Sequence, residues 1–298
     1  MTTDANVVSA PGSRRPTLFH LWRHGPLSFR IGSVILSLHV LIAVTGPFWV
    51  PYGFAELGAC FPLTGMTWAH PFGCDQLGRD VFSRVVYGGH IVIALSISGT
   101  LLGLVIGAIL GLLSGYLAGL FDEVLMRLFD ALNSIPFLVL GLIAIAAAGP
   151  KAAGNPALLV LVIAMVYAPR IGRLARSAAI DIATRDYITA ARLRGEHAWS
   201  VMWREMLPNA SGILLVEFAL RAGYAPVLVG SLGFLGFGMR PPTPEWGLMI
   251  SENRDLMYAA PIAVLAPGLA LASLVVGLNL FTEGFARIIG RSALYATR

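Results

Sequence analysis

Glu217 and Arg221 stand four residues apart near the middle of a strongly apolar run, 213–231. The carboxylate precedes the guanidinium, the order that favours an intrahelical pair. A charge at the centre of a bilayer costs about 2.5–3.5 kcal/mol, so such residues turn away from lipid. Two roles remain open for them: lining an aqueous translocation pathway, or forming a buried structural pair. Little else in the chain could do chemistry. No Ser/His/Asp, His/Glu or paired-carboxylate constellation falls at one membrane depth, so no catalytic residue is assigned. The histidines, at positions 20, 24, 39, 70, 90 and 197, show no ligand spacing beyond His20 and His24, and no metal site is expected. The single lysine, Lys151, follows Pro150, so no G-x-x-x-x-G-K-[ST] phosphate loop exists. The chain is expected to hold no cofactor of its own.

The elements that must position these charges are set by composition. Of 298 residues, 56% are hydrophobic and 12% charged, and mean hydropathy is +0.75, far more apolar than a soluble domain. Windows near 31–50, 91–117, 135–148, 157–174, 213–231 and 262–281 are candidates to cross a bilayer. The third is short and is expected to begin earlier, within 123–133. This predicts an all-α integral membrane protein of six transmembrane helices, with membrane lipid as its main solvent. It divides into a tail (1–30), a first helix (31–50), an external segment (51–89), a core (90–284) with a loop at 178–208, and a second tail (285–298). The net charge of +5 is read through the positive-inside rule rather than as a nucleic-acid footprint. With the N-terminus inside, fifteen basic residues fall on internal segments, Arg170, Arg173 and Arg176 among them, against five outside. Both termini are therefore expected in the cytoplasm. Cys60 and Cys74 share the first external segment and are expected as free thiols, a bridge being the alternative.

Three further patterns stand out. Gly99, Gly103, Gly107, Gly111, Gly115 and Gly119 recur every fourth residue, a small-residue ribbon that lets another helix backbone approach closely. The stretch 121–136 sets Asp122, Glu123, Arg127 and Asp130 among apolar residues at helical spacing, as a solvated boundary face or a coupling contact would. In the internal loop, 186–194 is short, Ala-rich and helix-competent, closed by Gly195 where a C-terminal cap belongs. It reads equally as a handle through which force reaches the flanking spans and as an interfacial helix anchored on anionic lipid by Arg185, Arg192 and Arg194.

From about 70 to 287 the sequence resembles the C-type inner-membrane permease subunit of dipeptide, oligopeptide and nickel ABC importers. His70-Pro71-Phe72-Gly73-Cys74-Asp75-Gln76-Leu77-Gly78-Arg79-Asp80 is similar to that family's HPLGTDxLGRD run. Tyr187-Ile188-Thr189-Ala190-Ala191-Arg192-Leu193-Arg194-Gly195, followed by Leu207-Pro208-Asn209, resembles its EAA loop. Leu232-Gly233-Phe234-Leu235-Gly236-Phe237-Gly238 and Pro241-Pro242-Thr243-Pro244-Glu245-Trp246-Gly247 resemble the stretch before its last helix. Thr189, Glu205 and Val229 depart from the usual residues.

The resemblance implies a six-helix type I importer permease in a bacterial inner membrane. Its partners would be a second, B-type permease, two cytoplasmic ATPases binding ATP and Mg, and an extracytoplasmic substrate-binding protein. Tyr187, Thr189, Ala190, Ala191, Arg192, Gly195, Leu207 and Pro208 would couple to the ATPase, with Ala190 and Ala191 allowing close approach. Asp75, Arg79, Asp80, Pro242 and Trp246, in external segments 51–89 and 236–260, would receive the binding protein. Glu217 and Arg221 stand where the family usually has uncharged residues, and on the residues' own reading they are candidates to line the path of a peptide or related solute. An ion-coupled secondary transporter, with Glu217 as proton relay, is the rival reading. It predicts uptake that survives ATP depletion and collapses with the ion gradient.

Overall fold

The structure is a computed structural model and describes residues 25–149 and 152–296. Arg14, Arg15, Arg23, His20, His24, Pro150, Lys151 and Arg298 lie outside them. In chain order the helices are α1 (Leu27–Thr45), α2 (Val81–Leu117), α3 (Gly119–Ser134), α4 (Phe137–Ala148), α5 (Pro156–Ala183), α6 (Asp186–Leu193), α7 (Ala198–Val201), α8 (Leu207–Phe234), α9 (Trp246–Asn253) and α10 (Pro261–Ala296). A π-helical turn, Met202–Met206, joins α7 to α8. Among the described residues the only β-type pairing is one isolated bridge, Cys74 to Asp80.

Among the described residues, five spans are long and apolar enough to cross a membrane: Leu27–Phe48, Val81–Leu117, Pro156–Ala183, Ala198–Phe234 and Pro261–Ile288. The third expected span is built differently. The residue before a proline is pushed out of the helical region, and Ile135, ahead of Pro136, is extended at φ −86° and ψ 130°. The chain bends by 100° there, leaving α4 with 12 residues. That is about 18 Å of helix, short of a bilayer core of about 30 Å, so α3 and α4 together form a broken sixth span.

The glycine ribbon decides how the core assembles. A Cβ at Gly99 would lie 2.6 Å from Ile163 Cβ, one at Gly107 2.6 Å from the Ala168 carbonyl oxygen, and one at Gly115 2.6 Å from Ala179 Cβ. At Gly111 it would coincide with the Gly172 carbonyl oxygen. The ribbon therefore presses the backbone of α2 onto that of α5, where dispersion replaces the hydrophobic drive that lipid does not supply. Gly103 is looser, its nearest neighbours being Ala164 atoms at 3.3 Å. Gly119 is not part of the seam: it lies past the end of α2, at φ +68° with open space around it. On the far side, Gly277 and Gly284 bring α10 against Ile35 and Phe29 of α1, which otherwise presents nearly all its surface outward.

Candidate functional site

The loop between α5 and α8 folds as a self-capped helix, α6. Gly195 sits at φ +72°, its N–H donates to the Arg192 carbonyl at 3.0 Å, and the Glu196 N–H donates to the Ala191 carbonyl at 3.2 Å. This is a Schellman cap, which needs a residue in the left-handed region at that position. Ile188 and Ala191 are fully buried in the core and fasten the helix to the membrane domain. Tyr187, Thr189, Ala190, Arg192 and Leu193 face outward, and Leu193 is 85% exposed. The expectation of close approach at both alanines needs correction: Ala190 offers its face to a partner, whereas Ala191 faces the chain's own interior. Arg192 reaches back to α2, its guanidinium 4.5 Å from the centre of the Tyr116 ring. Glu196, just past the cap, receives Arg194 Nη2 at 2.6 Å, and that bond holds its carboxyl below the usual range. Leu207 and Pro208 form the first turn of α8, above the buried Met202 and Met206.

Glu217 and Arg221 do pair. Arg221 Nε donates to Glu217 Oε1 at 2.6 Å, and Nη2 lies 2.5 Å from the same oxygen. The Glu217 side chain is 9% exposed and that of Arg221 25%, so the carboxylate is interior and the guanidinium borders open space. That space is a cavity of about 280 Å³ lined by Phe137, Tyr167, Arg170, Arg221, Tyr224 and Val227. Arg170 sits at the midpoint of the 28-residue α5, which runs on past the apolar window to Ala183.

In the segment before α2 a buried ionic cluster ties that segment to α9. Arg79 Nε donates to Asp75 Oδ2 at 2.6 Å, and Arg79 Nη2 and Arg84 Nη2 donate to Glu252 Oε2 at 2.8 and 3.1 Å. Arg84 Nη1 also donates to the Phe54 carbonyl at 2.9 Å. Asp80 caps α2 by accepting the Ser83 N–H at 2.7 Å and holds His70 Nδ1 at 2.9 Å. Trp246 Nε1 donates to the Val85 carbonyl at 2.8 Å. Asp75, Arg79, Asp80 and Trp246 are each at most 2% exposed, and buried side chains cannot receive a partner protein. The docking assignment is therefore corrected for these four, which fasten the external segment to the core. Pro242 alone of the five is at the surface. Exposed apolar groups of the same region, Phe61, Trp68 and Tyr258, had no periodic signal to reveal them.

Cys60 and Cys74 form a disulfide, with Cα atoms 6.4 Å apart, contrary to the expected free thiols. The turns of the segment bring them together: the Cys60 N–H donates to the Gly78 carbonyl, and the Cys74 N–H to the Thr64 carbonyl. Ligand-type atoms of Cys60, His70 and Cys74 lie within 4.8 Å of one another, but the sulfurs are consumed by the bridge and His70 Nδ1 by Asp80.

Residues 91–294 match the model of the binding-protein-dependent transport system inner membrane component. The chain belongs to that family. This inner-membrane component is 36% identical to the dipeptide transport system permease protein DppC of Escherichia coli, over 95% of each chain. It is 35% identical to the glutathione transport system permease protein GsiD of Pectobacterium atrosepticum, over 85% of this chain and 84% of that one. In fold it is similar to a chain of the inward-facing MetNI methionine ABC transporter, at a TM-score of 0.53 and 20% identity, covering 70% of this chain and 97% of that one. The matched region of the component holds the α2–α5 seam, α6 and the cavity, while Asp75, Arg79 and the disulfide precede it.

Proposed function

We propose that this chain is one of two permease subunits of an ATP-driven importer. It would pass di- or oligopeptides, or a related small solute, from an extracytoplasmic binding protein into the cytoplasm of a bacterial cell. Its partners are a B-type permease and two cytoplasmic ATPases; ATP and Mg are bound there and not in this chain. Both termini face the cytoplasm. The observation that carries the reading is α6 itself: a rigidly capped helix within the family-matched region, with Ile188 and Ala191 locked into the membrane domain and Tyr187, Thr189, Ala190 and Leu193 turned outward. A motor gripping that outer face acts on both α5 and α8, because α6 lies between them in the chain. Nucleotide then shifts the equilibrium between outward- and inward-open states through its differential affinity for the two. The family's peptide-transporting relatives support the cargo class, and Pro242, Phe61, Trp68 and Tyr258 are candidates to meet the binding protein.

The test is uptake of a labelled dipeptide into proteoliposomes holding both permeases and both ATPases, with binding protein outside and ATP inside. Uptake should require ATP and the binding protein and persist when ionophores collapse ion gradients. Uptake that ignores ATP and vanishes with the gradient would establish the secondary-transporter reading instead.

A further inference from the structure

The cavity between α4, α5 and α8 carries an imbalance of charge that its surroundings do not resolve. Three arginines descend one face of α5. Arg173 meets Asp130 at 3.2 Å and Arg176 meets Asp122 at 2.5 Å, both acidic partners supplied by α3. Arg170, the first of the three in the chain, has no hydrogen bond or ion pair among the described residues. Across the cavity Arg221 points both Nε and Nη2 at one oxygen of Glu217. Two guanidiniums thus border the cavity against one carboxylate, which only Arg221 touches. Tyr167 stands one turn before Arg170, and Tyr224, 54% exposed, follows Arg221 by one turn, so two phenols border the same space.

An unbalanced positive charge within a membrane-spanning helix is disfavoured and marks a functional position. Its complement here is one unit of negative charge with planar acceptor geometry. We infer that the cavity is a transit subsite for a carboxylate of the cargo, received by Arg170 and Arg221. The Arg fork matches a carboxylate through two parallel N–H···O bonds. One carboxylate brings the cavity to neutrality, whereas a doubly charged phosphate would overshoot it. Both arginines sit at the midpoints of 28-residue helices, and the comparison of a peptide with its amide below separates a cargo carboxylate from a lipid headgroup. The identification of that anion as cargo rests on the permease reading given above, while the electropositive cavity does not.

The experiment separates the two. A cysteine reporter, Val227→Cys, is introduced into the assembled complex, where the chain's native cysteines are already bonded to each other. Its modification by an anionic sulfonatoethyl and a cationic trimethylammonioethyl methanethiosulfonate is followed by mass spectrometry and normalised to a free thiol in solution. Anionic reagent should be favoured at least about tenfold, the gain expected of a cleft lined by one sign of charge, and Arg170→Gln should bring the ratio close to one. In parallel, uptake of Ala-Ala and of its C-terminal amide is compared, each as variant over wild type. Arg170→Gln should depress the first about tenfold and spare the second. A normalised ratio near or below one in the Val227→Cys complex, a ratio indifferent to Arg170→Gln, or equal loss of both cargoes would overturn the subsite. So would a reporter reactive in the isolated chain but sealed in the complex, which would make the cavity a subunit contact. If the wild-type complex imports no peptide while the anion preference holds, the peptide reading fails and the anion subsite stands.

Discussion

Leu193 separates a docking role for α6 from a merely structural one. Its side chain is 85% exposed on the outer face of the helix, two residues before the cap. Replacement by alanine therefore removes nothing from the permease core, and a surface change of that kind moves stability by no more than about 0.5 kcal/mol. If the same side chain is buried in a cleft on the ATPase, the variant loses three carbon groups at about 0.8 kcal/mol each, roughly 2 kcal/mol. At 1.4 kcal/mol per tenfold, the ATPase should associate about 30-fold more weakly. The assay is a titration of purified ATPase onto the detergent-solubilised permease pair, read by binding and by hydrolysis stimulated with binding protein and cargo, alongside thermal unfolding of the permease alone. Leu193→Ala should shift the titration and leave Tm unchanged. Ala191→Leu provides the contrast: that position is fully buried, so overpacking of about 1–3 kcal/mol should lower Tm first. An unmoved titration for Leu193→Ala, or a Tm falling in step with affinity, would refute the assignment of this face to the motor.

The seam between α2 and α5 should discriminate between its own glycines. Gly111→Ala forces the helices apart at Gly172 and should lower Tm by the equivalent of about 1–3 kcal/mol, whereas Gly103→Ala, with 3.3 Å to its nearest neighbours, should be close to neutral in the same melt. Glu252→Ala leaves two buried guanidiniums with Asp75 as their one carboxylate partner and should cost up to about 3–5 kcal/mol, measurable as lost thermal stability that the double variant with Arg79 partly recovers. Glu245 has its carboxyl pushed up to about 7 by burial, against an ordinary 4.5. Between those values the folded chain keeps a proton that the unfolded chain has released, so stability should fall as pH rises from about 4.5 to about 7, by at most about 3 kcal/mol. Tm of Glu245→Gln should be flatter than wild type between pH 5 and pH 8, and parallel pH profiles would show that this carboxyl does not titrate in the native state.

What the sequence made legible was local. The cap at Gly195 follows from an Ala-rich segment ending in glycine, the α2–α5 seam from a period of four, and the Glu217–Arg221 pair from a spacing of four. In each case the informative residues lie within a turn or two of one another, where helical geometry alone decides who meets whom. The exceptions within this class are instructive. Arg170 falls inside the apolar window 157–174, but the length of its helix, which runs on to Ala183, was not legible from hydropathy. The broken third span was foreshadowed by Pro136, but its missing length was sought upstream as straight helix rather than as a bend.

The external segment resisted for a different reason. Asp75, Arg79 and Asp80 are polar residues in a Gly- and Pro-punctuated stretch, a composition that argues for solvent and hence for a docking surface. Their burial depends on Glu252, 173 residues beyond Arg79, and on the fold of a loop that local spacing does not specify. The same holds for Cys60 and Cys74, brought together by turns around Gly73 and Gly78. Charge at the membrane boundary can therefore be consumed internally, to fasten an irregular loop onto a helix bundle that offers it no apolar face. Polar residues ahead of a transmembrane helix are better assigned by asking which buried charge elsewhere lacks a partner than by their own hydrophilicity. Applied to the core, the same question leads to Arg170, whose neighbours on α5 both find carboxylates on α3 while it finds none.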